Sequence, residues 1–343
     1  MPQLECRAGD TAADCPMSVY TVIEQDELNS FLDEYDVGSL TRYEGISDGI
    51  ENTNYFVDTT GGRFVLTIFE HHSFDEMQYF LSLMHHLADH GVPSADPVAD
   101  RQGHYLRQFK EKPIALVERL KGGSIDTPTV DHCRQLGDAM GRMHKAGLEF
   151  DLHQENPRGP TWCQQTARKV MGKLDDELQR LLEAELIYQR EKRDAHIPRG
   201  VVHADLFRDN ALWDTTDAAK HRFSGIIDFY YSCDDVLLYD LAVTANDWCI
   251  DADYGLDRER VIALLDSYHQ HRPLSAQEQD YWPAMLRAAA LRFWLSRLHD
   301  MHFPRPGELV TTKDPEAFRA IISDRINREA DYHDYWPASL AVA

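Results

Sequence analysis

Hydrophobic and polar positions alternate early in this chain and then change period. In "LTRYEGISDGIENTNYFVDTTGGRFVLTIFE", two runs, Tyr55 to Asp58 and Phe64 to Phe69, alternate residue by residue, with Gly61–Gly62 between them. That pattern predicts a β-hairpin. The following stretch, "DEMQYFLSLMHHLADHG", places Met77, Phe80, Leu81, Met84 and Leu87 at helical spacing, with Gly91 as the stop. A short strand is expected around Ile114 to Leu120, then a flexible joint at "KGG", Lys121 to Gly123.

Beyond Gly123 the pattern is mostly helical. Val130, Cys133, Leu136, Met140 and Met143 form one apolar stripe, and a charged helical stretch runs from about Trp162 to Arg193. Two short strand-like runs, "ALW" at 211–213 and "FSGIID" at 223–228, follow "VVHADLFRDN" at 201–210. Helices are expected at about 235–249, 258–270, 276–301 and 315–332. The fold class is therefore α+β, with a small β-rich lobe carrying one helix, a joint, and a larger helical lobe with a short β insert. This is the outline of a bilobal, protein-kinase-like fold. The expected divisions are a loose tail at 1–16, an N-lobe at 17–115, a hinge at 116–123 and a C-lobe at 124–343.

Composition narrows the function. The chain has 343 residues, 43% of them hydrophobic, and no apolar run reaches the roughly 18 residues of a membrane helix. Its start, "MPQLECRAGDTAADCP", lacks the basic and apolar regions of a secretory signal, and Met17 opens the folded sequence. These features point to the cytoplasm. With 35 basic and 58 acidic residues the net charge is -23, which opposes binding to nucleic acid or anionic membrane. An anionic substrate such as a nucleotide then needs local cations, most simply magnesium. The six cysteines show no CxxC spacing and read as buried thiols; the 17 histidines include no HExxH.

The stretch "HADLFRDN" admits three readings: a metal-ligand cluster, a polar turn, or a phosphoryl-transfer loop. Its residues His203, Asp205 and Asn210 fit H-x-D-x-x-x-x-N, the spacing of a kinase catalytic loop. In that chemistry Asp205 accepts the proton of the acceptor hydroxyl, and the amide oxygen of Asn210 holds a magnesium ion. Downstream, "GIID" ends in Asp228, where a kinase places its second metal-binding carboxylate. Magnesium keeps several waters, so one carboxylate, one amide and the substrate phosphates suffice. Taken singly, the loop is a motif that arises by chance and Asp228 a turn residue. Their order and their flanking strands favour the catalytic reading. No second His or Cys set supports a metal cluster, and His203 is expected to brace the loop by hydrogen bonding. Phe229 and Tyr230 follow Asp228, so the glycine of a DFG motif is absent, which points to small-molecule kinases.

For the nucleotide, the loop "EGISDGIENTN" offers Gly45, Ser47 and Gly49 as phosphate-covering positions. On the third strand "FVLT" puts Val65 where it faces adenine and Thr67 where a kinase carries lysine. Glu118, beside the joint, completes the nucleotide candidates. Thr67 supplies no charge, which is the chief internal argument against catalysis.

At this point the blocks "HADLFRDN", "GIIDFYYSCDD" and "YDLA" resemble the aminoglycoside-phosphotransferase/choline-kinase superfamily. The blocks "MSVYTVIEQDELNSFLDEYDVGSL", "GISDGIENTNYFV", "FVLTIFE", "DLAVTANDWC" and "ALRFWLSRLHD" resemble its bacterial homoserine-kinase branch, from about Met17 to about Tyr335. The resemblance implies ATP- and magnesium-dependent phosphorylation of the L-homoserine hydroxyl, giving O-phospho-L-homoserine for threonine biosynthesis. It also implies that Thr67 is the family's own form, that Asp205 is the base, and that Asn210 and Asp228 hold magnesium. Asp240 in "YDLA" is expected to support the loop from beneath.

An amino-acid acceptor needs partners for an ammonium and a carboxylate. The candidates are Tyr230, Asp234, Asp247 and Trp248 on one side and Arg292 or Arg297 on the other, since an arginine fork suits a carboxylate. Each is equally readable as a helix-surface charge or an inter-helix ion pair. Kinases of choline, methylthioribose, hydroxylysine or aminoglycosides share the catalytic loop and stand as alternatives. A non-catalytic kinase-like binding protein is the alternative from another class.

Overall fold

A computed structural model describes residues 20–46, 52–192, 196–218, 220–304 and 313–337. The candidates Ser47 and Gly49, and the tail at 1–16, lie outside the described residues. The chain divides into two compact units, Met1–Lys121 and Gly122–Ala343.

In the first unit α1 (Gln25–Leu32) precedes three strands, β1 (Leu40–Gly45), β2 (Thr53–Thr59) and β3 (Arg63–Ile68). Then come α2 (Phe74–Asp89), β4 (Arg107–Phe109) and β5 (Lys112–Glu118). The five strands form an antiparallel sheet in the order β1-β2-β3-β5-β4. The β2–β3 turn needs glycine because the chain passes so close: a Cβ on Gly61 would meet the Val37 carbonyl oxygen at 2.4 Å. One sheet face, with Tyr55, Val57, Phe64, Leu66 and Ile68, packs on Ile23, Leu28, Leu32 and Tyr35. Side chains alternate along a strand, so Val65 and Thr67 share the other face with their cross-strand partners Phe56 and Asn54. The helix α2 starts at a capping box formed by Ser73 and Glu76.

The second unit begins with α3 (Val130–Gly147), α4 (Pro160–Val170) and α5 (Asp176–Glu191). Four short strands follow, β6 (Arg199–Val202), β7 (Ala211–Asp214), β8 (Arg222–Ile226) and β9 (Cys233–Val236). They pair antiparallel as β6 with β9 and β7 with β8. The helices α6 (Leu237–Trp248), α7 (Arg258–His269), α8 (Ala276–His302), α9 (Glu316–Asn327) and α10 (Glu329–His333) complete it. The apolar stripe of α3 is buried at Cys133, Leu136, Met140 and Met143. Among the described residues no helix is long and apolar enough to cross a membrane.

Two expectations change. The charged stretch from Trp162 to Arg193 is not continuous: a single 3-10 turn, Met171–Lys173, interrupts it. Asp175 then restarts the helix by accepting hydrogen bonds from the Glu177 and Leu178 amides at 3.0 and 2.9 Å. The strand β9, "CDDV", carries two acids in its centre and shows no alternation that sequence reasoning recognises as a strand.

Candidate active site

The loop from His203 to Asn210 joins β6 to β7, and α6 holds it from below. The Asp240 carboxylate is fully buried. It accepts hydrogen bonds from the His203 and Ala204 amides, both at 2.7 Å, and lies 3.0 Å from His144 Nε2. Burial works against its charge, yet the hydrogen bonds from His144 and His203 hold the carboxyl below its ordinary range. Ala204 adopts a left-handed backbone, φ 65°.

His203 is fully buried, and burial pushes its pKa down, so the ring is neutral. Its Nδ1 accepts from the Asp205 amide at 3.3 Å, and its Nε2–H donates to the Ile227 carbonyl at 2.9 Å. One imidazole thus ties the loop at Asp205 to the segment that carries Asp228. The β7–β8 ladder does the same from the other end. Ala211 pairs with Ile226, and the Ile227 amide donates to the Asn210 carbonyl at 3.0 Å. The chain at Asp228 is therefore brought alongside Asn210. Asp228 itself is exposed, with a left-handed φ of 63°.

The Asn210 side-chain amide donates to the Asp205 carbonyl at 2.8 Å and reaches Asp205 Oδ2 at 3.4 Å. With the nitrogen so committed, the amide oxygen points the other way. An oriented amide oxygen and a neighbouring exposed carboxylate fit a hard divalent cation that takes its remaining ligands from phosphates and water.

Several sequence candidates have other duties. Asp247 accepts from the Arg208 amide at 2.8 Å and pairs with the Arg208 guanidinium at 3.1 Å. Trp248 is fully buried, with its indole N–H directed to the Leu206 carbonyl at 3.2 Å. Asp240, Asp247 and Trp248 are spaced i, i+7, i+8, so one face of α6 grips the loop at three points. Asp247 and Trp248 therefore support the loop. Asp234 lies in β9 opposite Val201 and accepts from the Gln154 amide at 3.0 Å. Arg297 donates to the Asp314 carbonyl at 2.9 Å and stacks 4.4 Å over Phe318. Arg292, five residues earlier on α8, approaches Asp205 Oδ1 at 3.8 Å. Tyr230 is half-buried just past Asp228. Arg208 and His144 were not singled out in the sequence; the i, i+7 spacing on α6 was the available signal for the loop anchors.

On the nucleotide candidates, Thr67 is buried and donates through Oγ1 to Asn54 Oδ1 at 2.8 Å. Val65 shares its face, and Gly45 ends β1 opposite Tyr55. Glu118 pairs with Phe64, so its side chain falls on the opposite sheet face from Val65 and Thr67.

A family model described as the phosphotransferase enzyme family (APH) matches residues 42–274. The chain belongs to this family. Like the family's other members it is a phosphotransferase. It is 48% identical over 310 residues to a homoserine kinase of Methylobacillus flagellatus, covering 90% of this chain and 96% of that one. To a homoserine kinase of Methylobacillus glycogenes it is 44% identical, over 93% and 99% of the two chains. Among solved structures, this phosphotransferase superposes on an amicoumacin kinase in complex with AMP-PNP and Ca2+. The TM-score is 0.64 at 17% identity, over 90% of this chain and 93% of that one. A spectinomycin phosphotransferase in complex with ADP gives 0.65 at 12% identity, over 92% and 100%. The phosphotransferase thus has the kinase-like α+β fold of these proteins.

Proposed function

We propose that the protein transfers the γ-phosphoryl group of ATP to the side-chain hydroxyl of L-homoserine, forming O-phospho-L-homoserine for threonine biosynthesis in the cytoplasm. The observation that carries this reading is the similarity to homoserine kinases along nearly their whole length, up to 48% identity. The site supports it. Asp205 accepts the hydroxyl proton, held in place by His203 and the Asn210 amide. Arg292 lies 3.8 Å from Asp205 Oδ1. Asn210 and Asp228 are the residues that would hold magnesium. When bound, the cation neutralises charge developing on the transferred phosphoryl group. Val65, Thr67 and Gly45, with Ser47 and Gly49, are the proposed nucleotide contacts; Thr67, hydrogen-bonded to Asn54, stands where a kinase carries its lysine.

The test is a panel of acceptors, L-homoserine, choline, methylthioribose, hydroxylysine and an aminoglycoside, each assayed with Mg·ATP. L-Homoserine is expected to be turned over most efficiently, and preferential phosphorylation of choline sinks the reading. The Asp205→Asn protein is expected to lose about 100- to 10,000-fold in kcat while binding Mg·ATP nearly as wild type. Loss of nucleotide binding instead makes Asp205 a metal ligand.

A further inference from the structure

Arg292 is a buried charge beside Asp205. The residue is only 5% exposed, yet its guanidinium donates no hydrogen bond among the described residues. Its neighbours are Asp205 Oδ1 at 3.8 Å, beyond hydrogen-bond range, and the Phe293 ring at 3.8 Å. A guanidinium carries five donors in a planar fork, and those of Arg292 that meet no protein acceptor can be taken by an anionic ligand.

A second guanidinium converges on the same place. Arg158, in the loop before α4, donates through Nη1 to Ser296 Oγ at 2.9 Å and reaches the Tyr231 hydroxyl at 3.4 Å. Ser296 stands one helical turn beyond Arg292 on the same face of α8. Both guanidiniums approach one ring, Tyr231, at 5.3 Å for Arg158 and 5.7 Å for Arg292. Neither donates a hydrogen bond to a carboxylate among the described residues, in a chain whose net charge is -23. Cys163, whose thiol burial pushes up to about 12, is within the electrostatic reach of both.

The carboxylate of Asp205 separates two sides of the site. Its Oδ2 faces Asn210 at 3.4 Å, the metal and phosphate side, and its Oδ1 faces Arg292. An acceptor whose hydroxyl meets Asp205 therefore has its far end on the arginine side.

We propose that Arg292 and Arg158, meeting at Tyr231, bind the α-carboxylate of the amino-acid acceptor and so select amino acids over plain amino alcohols. This rests on the homoserine reading and names its specificity site. Two guanidiniums match a carboxylate's two oxygens with charge-assisted hydrogen bonds.

The experiment compares L-homoserine with 3-amino-1-propanol, which keeps the hydroxyl and the amine and lacks the carboxylate. In wild type, L-homoserine is strongly preferred. In Arg158→Gln and Arg292→Gln that preference is expected to fall about 100-fold, through KM for L-homoserine, with KM for ATP moved less than about twofold. Equal losses on both acceptors, or a raised KM for ATP, overturn the proposal and assign the arginines to the phosphoryl group. Arg158→Gln carries the most weight, because Arg292 also touches the base. A readout free of turnover uses the Asp205→Asn protein. L-Homoserine, and not 3-amino-1-propanol, should raise its Tm, and adding Arg158→Gln should abolish that rise. Persistence of the rise overturns the proposal. Wild type that phosphorylates no L-homoserine at all overturns the functional reading, and the arginine site with it.

Discussion

The imidazole of His203 is held by two backbone groups, the Asp205 amide on Nδ1 and the Ile227 carbonyl on Nε2, so only one neutral tautomer satisfies both. Burial lowers its pKa below the ordinary 6.5. A pKa lower in the folded than in the unfolded chain means that unfolding takes up a proton as pH falls. The stabilisation is therefore complete above pH 6.5 and is lost as pH drops toward the folded-state value. His132, also lowered by burial, acts with the same sign. The urea midpoint is expected to fall between pH 7 and pH 5, and less steeply in His203→Gln, which is also less stable at pH 7. Identical slopes in both proteins would count against a buried neutral His203. At this scale the motif was readable: H-x-D-x-x-x-x-N singled out the loop's polar residues. Arg158 was not readable, because "NPRGP" looks like any polar loop until Ser296 and Tyr231 are beside it.

Among the elements, α6 and α8 present the two sides of the site, and α3 shows how tightly the helices are set. A Cβ on Gly137 of α3 would lie 2.2 Å from the Leu264 carbonyl oxygen of α7, and backbone does not yield as a flexible side chain does. Gly137→Ala is expected to destabilise the protein by about 1–3 kcal/mol, read as a lower urea midpoint, despite alanine's better helix propensity. An unchanged or raised midpoint would mean that α3 and α7 move apart at no cost. The periodic helices could be read from local pattern because their apolar residues recur on one face. The break between α4 and α5 was missed, since Asp175 looks like one more charge until its capping bonds are seen. The strand β9 was missed because its pairing with β6, not its own alternation, makes it a strand.

For the whole molecule, a net charge of -23 implies self-repulsion that salt relieves. Tm is expected to rise as KCl is increased from about 0.02 M to about 0.5 M, over which the screening length falls from above 10 Å to a few Å. A flat or falling Tm would show that the acidic surface is already balanced by its ion pairs. The sequence alone determined the class of fold, and it singled out the candidate loop from His203 to Asn210 and the carboxylate Asp228 downstream of it. These rest on period, spacing and residue chemistry, which act between near neighbours in the chain. The tertiary structure alone decided which charges meet. It turned Asp247 and Trp248 toward the loop and Arg297 toward Asp314, and it brought Arg158 and Arg292 together at Tyr231. Such encounters depend on how helices far apart in sequence pack, and no local pattern encodes that.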